Sequence, residues 1–129
     1  MRLGYVILYV EEVEKTVQFY QEAFGLSLRM LHESGHYAEM ETGETRLAFA
    51  SRVVGESNFP EGYAHVRKEG LPWGIEIALV AVDVESAYER ALASGAIGIV
   101  PPQPKPWGQM VAYVRDQDGL LVELCSPMS

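Results

Sequence analysis

The chain has 129 residues, 48% of them apolar and 22% charged, with eighteen Asp and Glu against ten Lys and Arg for a formal charge of −8. That length supports a full hydrophobic core, and the acidity argues against nucleic acid and anionic membrane as partners, because both ask for a positive footprint. The single cysteine, Cys125, makes no internal disulfide, and there is neither a secretory signal pattern nor an apolar run long enough to span a bilayer, so the expected location is cytoplasmic.

In chain order, residues 3–10 hold Tyr5, Val6, Ile7, Tyr9 and Val10, residue types that favour a strand. Residues 13–24 switch to a helical period, with Val13, Thr16, Val17, Tyr20, Ala23 and Phe24 on one face and Gly25 as the stop. Three strand-like stretches follow, at 26–33, 36–42 and 45–51, separated by the hairpin-compatible pairs Ser34-Gly35 and Gly43-Glu44. Residues 52–72, with three glycines and two prolines, read as a long linking loop. The pattern then returns. A strand at 74–82 leads to a helix from Val84, with Asp83 as N-cap and Gly95 as stop. Strands at 97–100, 109–115 and 120–125 follow, the last hairpin turning at Asp116-Gln117-Asp118-Gly119, while 101–106 reads as a proline-rich loop.

The two halves align at a period near 71 residues: Tyr5 with Glu76, Leu8 with Leu79, Val13 with Val84 and, at 70, Gly25 with Gly95. The fold class is therefore α+β, one domain over 1–129 built from two tandem βαβββ modules, module 1 at about 1–51 and module 2 at about 73–129. Parity along the strands places Tyr5, Glu76 and Glu123 on faces opposite the aliphatic ones that seat the helices. A carboxylate in an apolar strand face is costly unless paired, protonated or metal-bound. Glu76 and Glu123 are thus either partnered by arginine, Arg46 being the candidate, or part of a functional site lining a cavity.

The opening Gly4-Tyr5-Val6-Ile7-Leu8-Tyr9-Val10, the helix end Phe19-Tyr20-Gln21-Glu22-Ala23-Phe24-Gly25-Leu26 and the closing Val114-Arg115-Asp116-Gln117-Asp118-Gly119-Leu120-Leu121-Val122-Glu123-Leu124 resemble the glyoxalase / bleomycin-resistance / extradiol-dioxygenase group, the vicinal oxygen chelate superfamily. The resemblance implies an open barrel-like curved sheet with a cleft, in a homodimer. Function transfers less directly, since the scaffold hosts lyases, epimerases, dioxygenases, thiol transferases and non-catalytic drug-sequestering proteins. The four positions that hold metal in such proteins read here Tyr5, Ala48, Glu76 and Glu123, where a typical enzyme has two histidines and a glutamate. Two carboxylates alone suit only a weakly held divalent ion (Mg, Mn, Zn or Ni). His32, His36 and His65 fall at none of the four positions, and His36, at the start of a strand, faces either the cleft or solvent.

Trp73 and Trp107 each precede a glycine before a strand, and either wall the cleft mouth against a planar ligand or pack the proline-rich loop. Tyr37 and Tyr113, on inner hairpin strands, are further ligand-binding candidates alongside Tyr5. Cys125 reads as an inert buried thiol rather than a nucleophile. Two functions stay open. One is a small-molecule-binding protein of the bleomycin-resistance type, with an apolar, acidic cleft and no turnover. The other is a divergent divalent-metal-dependent lyase or isomerase of the glyoxalase type, with Glu76 and Glu123 as metal ligands or as acid and base. Dioxygenase chemistry lacks its ligand triad.

Overall fold

The computed structural model describes residues 1–128. It divides after Val66 into two compact units. The first contains β1 (Tyr5–Val10), α1 (Val13–Phe24), β2 (Leu28–Leu31), β3 (Tyr37–Met40), β4 (Arg46–Ser51) and α2 (Arg52–Asn58). The second contains β5 (Glu76–Val80), α3 (Val84–Ala93), β6 (Ile97–Pro104), β7 (Met110–Arg115) and β8 (Leu121–Cys125). The fold is α+β, with the βαβββ order in each unit. Each forms a four-stranded sheet, ordered β1-β4-β3-β2 in one and β5-β8-β7-β6 in the other.

In the first unit β1 pairs parallel with β4, and the remaining pairs are antiparallel hairpins. Helix α1 supplies the crossover that a parallel pair requires. It ends where Gly25 takes a left-handed φ of 69° and donates its N–H to the carbonyl of Gln21. Its apolar face lies on β3 and β4. Tyr20 and Phe49, both fully buried, meet there with ring centroids 4.9 Å apart, so Phe49 and its neighbour across the ladder, Leu8, mark the helix side of the sheet. Tyr5, Ile7, Ala48, Tyr37 and Glu39 have the opposite parity and lie on the other face.

The second unit repeats the plan with β5 parallel to β8. Asp83 caps α3 by accepting from the Ser86 N–H at 3.1 Å. Helix α3 covers β6, β7 and β8. Gly98 lies beneath it, where a Cβ would stand 2.7 Å from the Tyr88 hydroxyl and 3.2 Å from Leu92 Cδ2. Val114 and Val122 share the covered face with Gly98, which leaves Glu76, Tyr113, Glu123 and Cys125 on the other.

Three local readings change. Residues 52–58, read as loop, form α2, whose N-cap Ser51 accepts from the Val54 N–H. Gly55, which argued for a loop, is there because Tyr63 packs against it: a Cβ would come 2.5 Å from the Tyr63 hydroxyl. Strand β6 also runs on through Pro101 and Pro102. It is an edge strand whose register shifts between Gly98 and Val100 and again between Val100 and Gln103, and edges and bulges are where a sheet tolerates residues without an N–H. Finally, Arg46 turns to its own unit, bonding Glu41 Oε1 and the Gly43 carbonyl at 2.6 Å each.

The β7–β8 turn is tied to the start of the unit. The buried Arg115 donates to the carbonyls of Gly119 (2.9 Å), Gly70 (2.8 Å) and Arg67 (2.6 Å). Asp116, also buried, accepts from the N–H groups of Asp118, Gly119 and Leu120 at 2.8–2.9 Å. The closing motif is therefore, at these residues, structural.

Candidate functional site

Tyr113 and Glu123 stand directly opposite one another on β7 and β8, while Glu76 sits one pair along on β5, whose Ala78 faces Glu123. Strand alternation alone brings the three onto one face. The Tyr113 hydroxyl donates to Glu123 Oε1 at 3.1 Å. Partial loss of water, then the hydrogen bond and charge of Glu123, raise the Glu76 carboxyl above the usual range. Burial and then the Glu123 charge likewise raise the Tyr113 phenol. Tyr113 therefore stays a donor, Glu123 is its acceptor, and Glu76 holds a proton more readily than a free carboxyl does.

Cys125 lies on the same face one pair further on. Its thiol donates to the Leu79 carbonyl at 3.7 Å, and burial followed by contact with Glu123 raises its pKa. A protonated, buried thiol is inert, as the sequence reading allowed.

The first unit uses the corresponding face differently. Ala48 occupies the place of Glu123, and its neighbour Glu39 occupies that of Tyr113. Glu39 is neutralised locally: Arg29 Nε stands 3.4 Å from Oε1, and the Tyr37 hydroxyl donates to Oε2 at 2.9 Å. Burial, with the Glu39 hydrogen bond and charge, pushes the Tyr37 phenol up to about 12. Neither Arg29 nor Glu39 was singled out in the sequence, although their parity with Tyr37 and Arg46 was the available signal. Tyr5 lies on this face and is 56% exposed. Thus the structure groups Glu76, Tyr113 and Glu123, and separately gives Tyr37 a carboxylate partner within the first unit.

The tryptophans stand apart from that triad in their bonding. Trp107 is exposed in the β6–β7 turn, its indole N–H bonded to Gln109 Oε1 at 2.7 Å. Trp73 is partly exposed ahead of β5.

The sequence matches the family model described as Glyoxalase/Bleomycin resistance protein/Dioxygenase superfamily over residues 2–124. The chain belongs to that superfamily. It is 31% identical over 131 residues to the uncharacterized protein YraH of Bacillus subtilis (strain 168), covering 96% of this chain and 97% of that one. It is also 28% identical over 130 residues to a probable lactoylglutathione lyase of Vibrio cholerae, covering 95% and 88% of the two chains. Among solved structures, a glyoxalase-related enzyme from Fulvimarina pelagi superposes with a TM-score of 0.82 at 20% identity, covering 98% of this chain and 88% of the other. That last likeness is one of fold.

Divalent metals are common in the glyoxalase superfamily. Here the Glu76 carboxyl is raised by burial and then by Glu123, and the neighbour of Glu123 is a phenol that is also raised. Among the described residues no three His, Cys, Asp or Glu side chains are grouped to hold an ion. Two carboxyls, one of which holds its proton more readily than usual, offer fewer and weaker ligands than a closed hard-ion site needs. The residues on this face do not fit a tightly held metal. Among the described residues no helix is long and apolar enough to cross a membrane.

Proposed function

We propose that this glyoxalase-superfamily protein binds a small molecule over the β5-β8-β7 face and holds it without turnover, in the manner of a bleomycin-resistance protein. One observation carries the reading: the carboxylate on the first unit's face is neutralised by Arg29, whereas Glu123 accepts from a tyrosine hydroxyl and neither it nor Glu76 has an ion-pair partner among the described residues. Such an acidic pair, beside Ala78 and Val80, suits an apolar ligand with a cationic group. Trp73 and Trp107 are the proposed aromatic contacts within this unit, and Tyr5 and Tyr37 are the proposed ligand-binding residues of the first unit's own face.

The proposed assembly is a homodimer. Tyr5 and Ile7 on the sheet-edge strand β1, and Val80 on the sheet-edge strand β5, are exposed, as a subunit contact would use them. Sedimentation at several concentrations tests that part. Nucleic acid and membrane are not proposed as partners, given the charge of −8. Isothermal titration against cationic glycopeptides and aromatic metabolites tests the binding. Heat evolution that disappears in Glu123→Gln supports it, and uniform absence of heat removes it.

The Glu76–Glu123 pair also supports a second reading, a lyase or isomerase of the glyoxalase type. The probable lactoylglutathione lyase relative belongs to that reaction class by its name. Here Glu123 would take a proton beside a substrate carbonyl and Glu76 would return one, a division that the raised Glu76 carboxyl favours. No step is routed through a metal. Turnover of α-ketoaldehyde adducts that is resistant to chelation and lost in Glu123→Gln would select this reading over the first.

A further inference from the structure

The first unit carries an aromatic cluster at one end of its uncovered sheet face. Tyr9 has the parity of Tyr5 and Ile7 and lies opposite Ala50, so it stands on the face away from α1. Phe59 packs against it with ring centroids 5.7 Å apart and Tyr63 at 5.3 Å, and His65 lies 4.9 Å beyond Tyr63. Helix α2 lies against β1 and β4 and supports the cluster, its Asn58 Nδ2 donating to the Tyr9 hydroxyl at 3.1 Å. Gly55 is the floor under Tyr63, since any Cβ there would meet the phenol end of the ring.

The seat of Tyr63 is unsatisfied. Two buried side-chain polar atoms have no hydrogen-bond partner among the described residues, and they are the Tyr63 hydroxyl and Arg52 Nε. Both belong to this place, because Arg52 lies one helical turn before Gly55 on α2. Burial raises the Tyr63 phenol and the Arg52 charge draws it partly back, with the Glu56 carboxylate felt less. A hydroxyl and a guanidinium N–H taken from water without partners each destabilise this closed arrangement.

Tyr63 is also weakly tied. The main-chain bonds of its segment end with the Phe59 N–H to the Gly55 carbonyl (2.9 Å) and the Gly62 N–H to the Phe59 carbonyl (2.8 Å). Among the described residues no hydrogen bond holds 63–66, and the next fixed point is the Arg67 carbonyl at Arg115. Gly62, at a φ of 91°, gives the chain a swivel immediately before Tyr63. Ring packing is what keeps Tyr63 in place.

We propose that Tyr63 is the resident occupant of a binding slot for a small aromatic carboxylate, which displaces it. The ligand's ring takes the place of the Tyr63 ring between Tyr9, Phe59 and the Gly55 floor, and its carboxylate accepts from the Arg52 Nε–H. A carboxylate is the acceptor that a guanidinium binds most strongly, whereas the phenol leaves that donor unused. Displacement also returns the Tyr63 hydroxyl to water. The apparent affinity is then the slot's own, reduced by the fraction of time that Tyr63 stands aside. The slot shares no residue with the Glu76–Glu123 face.

The test is an NMR titration of the full chain with benzoate, to about 10 mM, following the Arg52 Nε–H, the Tyr9 and Tyr63 rings and, as reference, the Tyr113 ring. The expected result is saturable movement of the Arg52, Tyr9 and Tyr63 signals, with Tyr113 unmoved. Benzyl alcohol, which lacks the charge, and acetate, which lacks the ring, should each bind at least about tenfold more weakly, as should benzoate to Arg52→Met. Tyr63→Ala vacates the slot and should bind benzoate about tenfold more tightly than wild type. Tyr63→Phe keeps the packing, removes one unpaired atom from the closed form and should bind about threefold more weakly. No saturable movement of Arg52 with benzoate, equal binding of benzyl alcohol, unchanged benzoate binding in the folded Tyr63 variants, or movement confined to Tyr113 would each overturn the inference.

Discussion

Tyr113 donates its hydroxyl to Glu123 across a directly opposed β7–β8 pair, at 3.1 Å. That one bond makes the two glutamates of the face unequal: Glu123 accepts from the phenol, while burial and then Glu123 raise the Glu76 carboxyl above the usual range.

Tyr113→Phe removes that bond. Glu123 then has Glu76 as its remaining partner on the face, so the hydrogen bond that raises the Glu76 carboxyl should strengthen. Carboxyl-carbon NMR titration should show Glu76 moving further up in pH. Stability should fall by only about 1 kcal/mol, since the lost bond is partly exposed. Unchanged carboxyl titration would mean that the hydroxyl does not differentiate the two acids.

The pH dependence of folding has a defined sign. Glu76 binds its proton more tightly folded than unfolded, so its contribution to stability is fully present below the unfolded pKa of 4.5 and is lost as pH rises through the raised folded value. Glu76→Gln keeps the neutral shape at every pH. Its melting temperature should therefore exceed the wild type's at pH 7, with the difference shrinking toward pH 4, as thermal melts across that range would report. A variant less stable than wild type at pH 7 would contradict this.

Gly119 has a φ of 108°, and a Cβ there would run into the Arg67 carbonyl. Gly119→Ala combines a strained backbone with a clash against main chain, and should cost about 2–4 kcal/mol in chemical denaturation. Arg115→Leu should cost a similar amount, because it strands three carbonyls that the guanidinium now satisfies. Neither change touches Glu76 or Glu123, so ligand binding by the folded fraction should persist.

Gly98→Ala tests the packing of α3. The obstructing atoms are the outer ends of Tyr88 and Leu92, which are able to shift, so the cost should be about 1–2 kcal/mol. Removing the hydroxyl in Gly98→Ala/Tyr88→Phe should recover part of it. A double-mutant cycle showing no coupling would place the strain elsewhere.

Much of this was legible because strand alternation is a local rule. Parity put Glu76 and Glu123 on the face away from the helices, and the β5–β8 register bears that placement out. Gly25, Asp83 and Gly95 likewise acted as punctuation that needs only its neighbours. What was not legible depends on contacts between distant residues. Gly55 looked like a loop residue until Tyr63 was found against it, and Pro101 and Pro102 looked like a loop until β6 proved to be a bulged edge. Arg46 was matched to Glu76 and Glu123 by parity, but Glu41 and Gly43, a few residues away, hold it.

Arg115 recognises residues 67–70 through their carbonyl oxygens alone. The side chains of Arg67, Lys68 and Glu69 point into solvent and take no part in the attachment. Every amino acid has the same carbonyl, so this stretch is free to change its charge and size over evolutionary time while its path stays pinned. A variable recognition segment, or an engineered one, has a ready anchorage here: new side chains at 67–69 would be displayed from a backbone whose course Arg115 already holds.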